Sequence, residues 1–133
     1  MSDPKCKTAL LAPPAGLRQL HELLCQPRRW HLIVVLAARN DPPYELSPIA
    51  KAVTARIHEI PRAQACGKKY ENVRVSLDQT HLPRLAEADV IEYNERRKLV
   101  TPGRKFDCAV MLVRLSAVAY ESLRSTVNVA ELS

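Results

Sequence analysis

A mainly α-helical domain carrying one small β-hairpin, followed by a long apolar helix, is the architecture this sequence predicts, on three observations. Apolar residues recur at helical spacing in four separate stretches between Leu17 and Ala88. A single short run, Val90 to Val100, alternates apolar and polar residues around a cationic tip. Residues 106–123 are apolar on almost every face. Composition points the same way, because only three Gly are present and Leu, Ala and Arg, all good helix formers, are the commonest residues. A chain of 133 residues suits one domain with a real core. Its 47% hydrophobic and 26% charged content is that of an ordinary globular protein and excludes disorder throughout.

Taken in order, residues 1–16 hold Pro4, Pro13 and Pro14 and no periodic pattern, which predicts an unstructured lead-in. Leu17, Leu20, Leu23 and Leu24 then repeat at helical spacing as far as Cys25. Pro27 suits the first turn of a second helix, expected to run to Arg39. Its inward stripe is expected to be Trp30, Ile33, Val34 and Ala37, joined by Leu36, with Arg28, Arg29 and Arg39 in water. Asn40-Asp41-Pro42-Pro43 stops it. Ser47-Pro48 reads as a third helix start, the Ser capping the first amides and the Pro already holding a helical φ. Ile49, Val53, Ile57 and Ile60 give that helix a buried face, and Pro61 closes it. Residues 62–72, with Gly67-Lys68-Lys69, are either a loop or the frayed start of the next helix.

The stretch Ser76 to Val100 organises the rest. Leu77, His81, Leu85 and Ala88, widened by Leu82, form one core-facing stripe, opposed by a polar stripe of Asp78, Gln79, Arg84 and Glu87. Pro83 would cost about 3 kcal/mol in an unsupported helix interior, so a kink there or a boundary near Thr80 is expected. Val90 to Val100 then forms a two-stranded flap with Arg96, Arg97 and Lys98 at its tip. Helix, tight break and basic flap is the succession of parts in a winged helix-turn-helix.

The residues here also carry a family resemblance. The run His81-Leu82-x-x-Leu85-x-x-Ala88-x-Val90-Ile91 resembles the recognition helix and wing of ArsR-type regulators, whose pattern is His-Leu-x-x-Leu-x-x-Ala-Gly-Leu/Val. His81-Leu82-Pro83-Arg84-Leu85, followed by Ile91-Glu92-Tyr93, is closer still to an archaeal, mostly haloarchaeal, winged-helix domain family of unknown function. Glu45-Leu46-x-x-Ile49-Ala50 is similar to the second helix of the same domains, and the likeness spans roughly Leu17 to Val100. It favours one kinked helix over a break at Thr80. Asp89 stands where the family has Gly, a replacement that Asp tolerates because it enters the left-handed region more readily than most residues. The chain is also basic, whereas haloarchaeal proteins are strongly acidic.

Beyond the wing, Thr101-Pro102-Gly103 is a breaker. Cys108, Leu112, Leu115, Ala119 and Leu123 follow at a spacing near 3.5, so a helix over residues 104–124 is expected, with a tail over 125–133. A buried strand from Ala109 to Leu115 is the other reading of this apolar run. A helix apolar on so many faces needs a second surface, and a second copy of the chain is the commonest one. Leu112, Leu115, Ala119 and Leu123 are the expected dimer contacts. The winged domain itself is expected over residues 17–101.

A net charge of +6 and a pI near 9.4 make double-stranded DNA a candidate partner, since Lys and Arg release counterions from phosphates on binding. Gln79, Thr80 and Arg84 are expected in the major groove, with Arg96, Arg97 and Lys98 on a phosphate or in the adjacent minor groove. Residues 91–105 hold five positive and two negative side chains, whereas residues 68–89 hold four of each. A protein-interaction module without DNA readout is therefore the competing expectation. His81 reads as a packing histidine rather than a switch. His21 and Cys25 share a helix face at metal-ligand spacing without further ligands near, so no metal is expected. Cys6, Cys25, Cys66 and Cys108 form neither a zinc nor a disulfide pattern, which suits a reducing cytoplasm. Cys108 reads as an apolar filler, or as a thiol oxidised across a dimer axis. No phosphate-binding Gly loop, His-Glu-x-x-His or nucleophile-base pattern is present, so neither an enzyme nor a cofactor is expected, and the apolar run 108–113 is too short for a membrane span.

Overall fold

The computed structural model describes the backbone of residues 15–132 and the side chains of residues 16–124. Helices α1 (Ala15–Leu24) and α2 (Pro27–Ala37) are followed by a short strand, β1 (Tyr44–Glu45), and by α3 (Leu46–His58). A 3-10 turn (Arg62–Gln64) leads into α4 (Gly67–Ser76), a π-helical turn (Leu77–His81) and α5 (Leu82–Glu87). The hairpin β2 (Ile91–Asn94) and β3 (Leu99–Pro102) precedes the long α6 (Phe106–Leu132). This is a mainly helical, winged helix-like fold with a small antiparallel sheet of order β1-β3-β2. The lead-in expected over residues 1–16 lies outside the described residues, apart from its last two, which already belong to α1.

One core joins the helices and the sheet. Leu32, Ile33 and Leu36 of α2, Leu46, Ile49 and Val53 of α3, and Val73, Leu77, Leu82 and Leu85 of the following helix pack with Val90, Ile91 and Val100 of the hairpin. Each such side chain removed from water contributes about 1.5–3 kcal/mol. The stripe expected on the central helix is the one buried, since Leu77, His81, Leu82, Leu85 and Ala88 all face inward.

Several expectations need correction. In α2 the buried face is Leu32, Ile33, Val35 and Leu36, while Trp30, Val34 and Ala37 are only half-buried. Arg29 is buried rather than wet. Ser47 does not cap α3, because the helix begins one residue earlier at Leu46, behind an extended Glu45 that makes no side-chain cap bond. The physical reason is the sheet. Tyr44 and Glu45 pair with Val100 and Leu99, and the Leu46 amide donates to the Lys98 carbonyl at 3.0 Å, so the hairpin fixes the helix start at Leu46 and satisfies its first orphan donor, which leaves Ser47 inside the first turn. The two-stranded flap is present as β2 and β3, and β1 adds a third strand to its sheet.

Residues 62–72, open to both loop and helix on sequence grounds, are helical from Gly67 onward, so the central helix begins nine residues before Ser76. Backbone angles stay in the right-handed helical region from Leu77 through Leu82, and α4, the π turn and α5 form one continuous rod. Pro83 is accommodated without a break because the turn just before it is widened: the Leu82 amide donates to Leu77, five residues back. Asp89 adopts the left-handed conformation that the break after α5 requires, at φ 63°.

The apolar tail is a helix, which excludes the strand reading of Ala109 to Leu115. It continues to Leu132, so residues 125–132 extend α6 instead of forming a separate tail. Phe106, Ala109 and Val113 anchor α6 to the core. Leu115, Val118, Tyr120 and Leu123 are each more than 60% exposed, and Met111 is 53% exposed. Cys108 is exposed too, which corrects its reading as a core filler.

Candidate nucleic-acid interface

Two surfaces meet along the central rod. On one side stands the wing. Tyr93 Oη donates to the Asp78 carboxylate, and Lys98 Nζ reaches both of its oxygens at 2.9 Å. The Lys98 backbone is left-handed, at φ 56°, where the hairpin turns back. Burial pushes the Asp78 carboxyl up, but the hydrogen bonds from Tyr93 and Lys98 more than offset this, leaving it below its usual value. Burial and then the Asp78 carboxylate push the Tyr93 phenol well above its usual range. Arg74, one turn before Asp78, also acts on both groups, and the base of the wing turn therefore stands level with the π turn that follows α4.

On the other side stand α1 and α2. Gln79, Thr80, Pro83, Arg84 and Glu87 line an open polar groove of about 590 Å³ shared with Gln19 and Leu23 of α1. Beneath it, Arg29 Nε donates to His81 Nδ1 at 2.9 Å, and a second Arg29 nitrogen donates to the Leu23 carbonyl at 3.2 Å. A nitrogen that accepts cannot also carry the proton, so the geometry holds His81 neutral. Burial is the main cause that lowers its pKa to about 4, helped by Arg29, Arg28 and Arg84.

The residues expected to read DNA are thus divided. Gln79, Thr80 and Arg84 are exposed, but they border α1. Arg96 and Arg97 are exposed at the wing tip, and half-exposed Lys98 is already engaged with Asp78. Sequence reasoning missed an exposed row upstream. Lys68, Asn72, Val75 and Gln79 succeed one another at four, three and four residues and are all exposed, with Gln79 bordering the α1 groove. Val75 stands out there as a 41% exposed aliphatic side chain. The signal was available in the spacing, but Gly67 and the run of polar residues after it hid the helix start.

Of the four expected dimer contacts, Leu115, Ala119 and Leu123 are exposed, whereas Leu112 is half-buried against the chain's own core. His21 and Cys25 border an apolar groove of about 460 Å³ with Trp30, His31 and Leu112. Among the described residues, no group of three or more His, Cys, Asp or Glu is placed to hold a metal ion, and no helix is long and apolar enough to cross a membrane.

A family model described as a domain of unknown function (DUF7344) matches residues 21–101, from within α1 to β3, and leaves α6 outside. No curated protein and no solved structure matches the chain.

Proposed function

Since the chain belongs to the DUF7344 domain family, whose description assigns no activity, we propose from its geometry that it is a homodimeric, DNA-binding transcriptional regulator of winged-helix type. The observation that carries this reading is the juxtaposition along the central rod. The central rod carries an exposed row that includes Lys68, Asn72 and Gln79, and the contacts of Tyr93 and Lys98 with Asp78 tie to that same rod the hairpin whose tip bears exposed Arg96 and Arg97. A helix flanked by a cationic flap is the shape that places side chains in a major groove while the flap grips the backbone. The motifs over residues 81–91 support an ArsR-like relationship and an archaeal source within the same reading. Exposed free thiols at Cys25, Cys66 and Cys108 favour a reducing cytoplasm.

The double variant Arg96→Ala, Arg97→Ala tests the wing. Duplex binding at low salt should weaken about tenfold as two cations leave the phosphate backbone, with folding unchanged because both side chains are exposed. Unaltered retention of duplex DNA on a gel would reject the wing assignment.

Dimerisation is assigned to the apolar face of α6. The double variant Leu115→Glu, Val118→Glu changes two side chains that are each over 60% exposed in the single chain, so the core should stay intact. Self-association should weaken about a hundredfold, as expected when two aliphatic side chains no longer leave water at an interface. Light scattering checks it, and an unchanged dimer would move the interface elsewhere.

A second reading, a protein-interaction module without DNA readout, is favoured by two observations: the zero net charge of residues 68–89 and this same apolar face. The two readings part on salt, because an apolar interface scarcely responds to it.

A further inference from the structure

We infer that the base-reading surface is the α4 half of the rod, the row Lys68, Asn72, Val75 and Gln79, with Val75 packing on the 5-methyl group of a thymine. This rests on the DNA-binding reading above and specifies what that interface reads.

Three observations point there. The rod is too long to lie in a groove along its whole length. At about 1.5 Å per residue, Lys68 and Arg84 are roughly 24 Å apart along the axis, and a straight helix follows a groove that winds around the duplex over only part of such a length. One half must lead, and the wing selects it. The hairpin starts beside α5, and Tyr93 and Lys98, at the two sides of its turn, converge on Asp78 in the π turn, so it runs back along the rod toward α4, while Arg84 acts with Arg28 and Arg29 on His81 on the other side. A duplex gripped by the wing therefore meets Lys68 to Gln79, and Arg84 is left to a flanking phosphate.

The third observation is the composition of the row. Lys68 is exposed at its start, where a cation can reach a phosphate or a guanine edge, and Asn72 and Gln79 are both able to bond an adenine N6 and N7 in bidentate fashion. Val75 lies between them, 41% exposed, in a helix whose other outward positions are polar or charged. An aliphatic group there has no hydrogen bond to offer. Of the groups on the major-groove floor, the thymine 5-methyl is the apolar one. An aliphatic side chain between two amides thus fits an A·T-containing step.

The test uses the full chain and a randomised duplex pool. Enriched sequences are identified, and the best duplex is remade with deoxyuridine in place of each thymidine in turn, which removes only the methyl group. The expected result is one position at which the wild type loses about fourfold in affinity, the factor for burying one methyl group. Val75→Ala should lose a similar factor on the thymidine duplex and nothing more on the deoxyuridine one, whereas Val75→Thr, which keeps a methyl, should retain most of the affinity. Circular dichroism should show both variants folded. Enrichment of a sequence whose deoxyuridine versions all bind like the parent, or a Val75→Ala loss that simply adds to the methyl loss, would overturn the inference while leaving DNA binding intact. If the pool yields no retained duplex at all, the DNA reading itself falls, and this inference with it.

Discussion

Gly103→Ala is expected to loosen the joint between the central helix and the wing, lowering unfolding free energy by about 1–3 kcal/mol, the usual cost of forcing an extra carbon into a closed site. A Cβ on Gly103 would stand 2.6 Å from the Asp89 carbonyl oxygen and 2.9 Å from both the Ile91 nitrogen and the Val90 carbonyl carbon. All three are backbone atoms that no rotamer change can move. They belong to a compact lock. The Gly103 amide donates to the Val90 carbonyl at 2.9 Å, and the Lys105 amide donates to the Asp89 carbonyl at 2.8 Å. The Arg104 to Asp89 ion pair at 3.0 Å is exposed and contributes little. A shifted urea midpoint with unchanged slope would report the loss. Asp89→Gly provides the opposite control. It relieves a left-handed non-Gly residue at φ 63°, so its effect should be close to neutral, as conformational relief offsets the added freedom of the unfolded chain. A Gly103→Ala protein as stable as the wild type would mean that the wing end does not pack against the Asp89 backbone in solution.

Acid lability is the second large effect. Folding depresses the His81 pKa to about 4, below the 6.5 of an unperturbed histidine. A histidine held neutral in the folded state gives a stability that is complete above its unfolded pKa and is lost as pH falls toward the folded one. Between pH 6.5 and 4 the unfolded chain takes up the proton that the folded chain refuses. Stability should therefore decline by about 2 kcal/mol at pH 5 and on the order of 3 kcal/mol by pH 4. The main cause is burial of the ring, and Arg29 adds to it, since its guanidinium donates to His81 Nδ1 and would face a second positive charge if that ring protonated. Urea midpoints measured across this range check it. His81→Gln should abolish much of the slope; a wild type whose midpoint is flat from pH 7 to 5 would show that His81 protonates freely in the folded chain.

How much of this was legible in the sequence depended on whether the deciding interaction was local. The core stripe Leu77, His81, Leu82, Leu85 and Ala88 was readable because its spacing is a property of one helix. Asp89 was readable as a left-handed break because the preference belongs to the residue itself. Ser47 misled, since its capping chemistry is real but the pairing of Tyr44 and Glu45 with the distant hairpin, continued by the Leu46 amide to the Lys98 carbonyl, starts the helix one residue before it. Arg29 misled for a related reason. Its place on α2 gives no hint of a buried acceptor on another helix, and only the fold brings His81 to it. The π turn was invisible, because nothing in Leu77 to His81 announces an extra residue per turn, although it is what lets Pro83 sit inside the rod. At the candidate site, the wing cations and the polar side of residues 78–87 were found from charge and spacing. Their separation onto different sides of the rod, and the exposed row from Lys68, came only with three dimensions.

The most direct measurement of the central claim, that the exposed row and the wing together grip duplex DNA, is the salt dependence of binding to a duplex from the selected pool. The logarithm of the binding constant should fall linearly with the logarithm of salt concentration between about 50 and 200 mM, with a slope of about −3 or steeper. Removing Arg96 and Arg97 should make that slope shallower by about two, one for each phosphate no longer neutralised. A binding constant indifferent to salt, or a slope identical in the wild type and the double variant, would contradict the account.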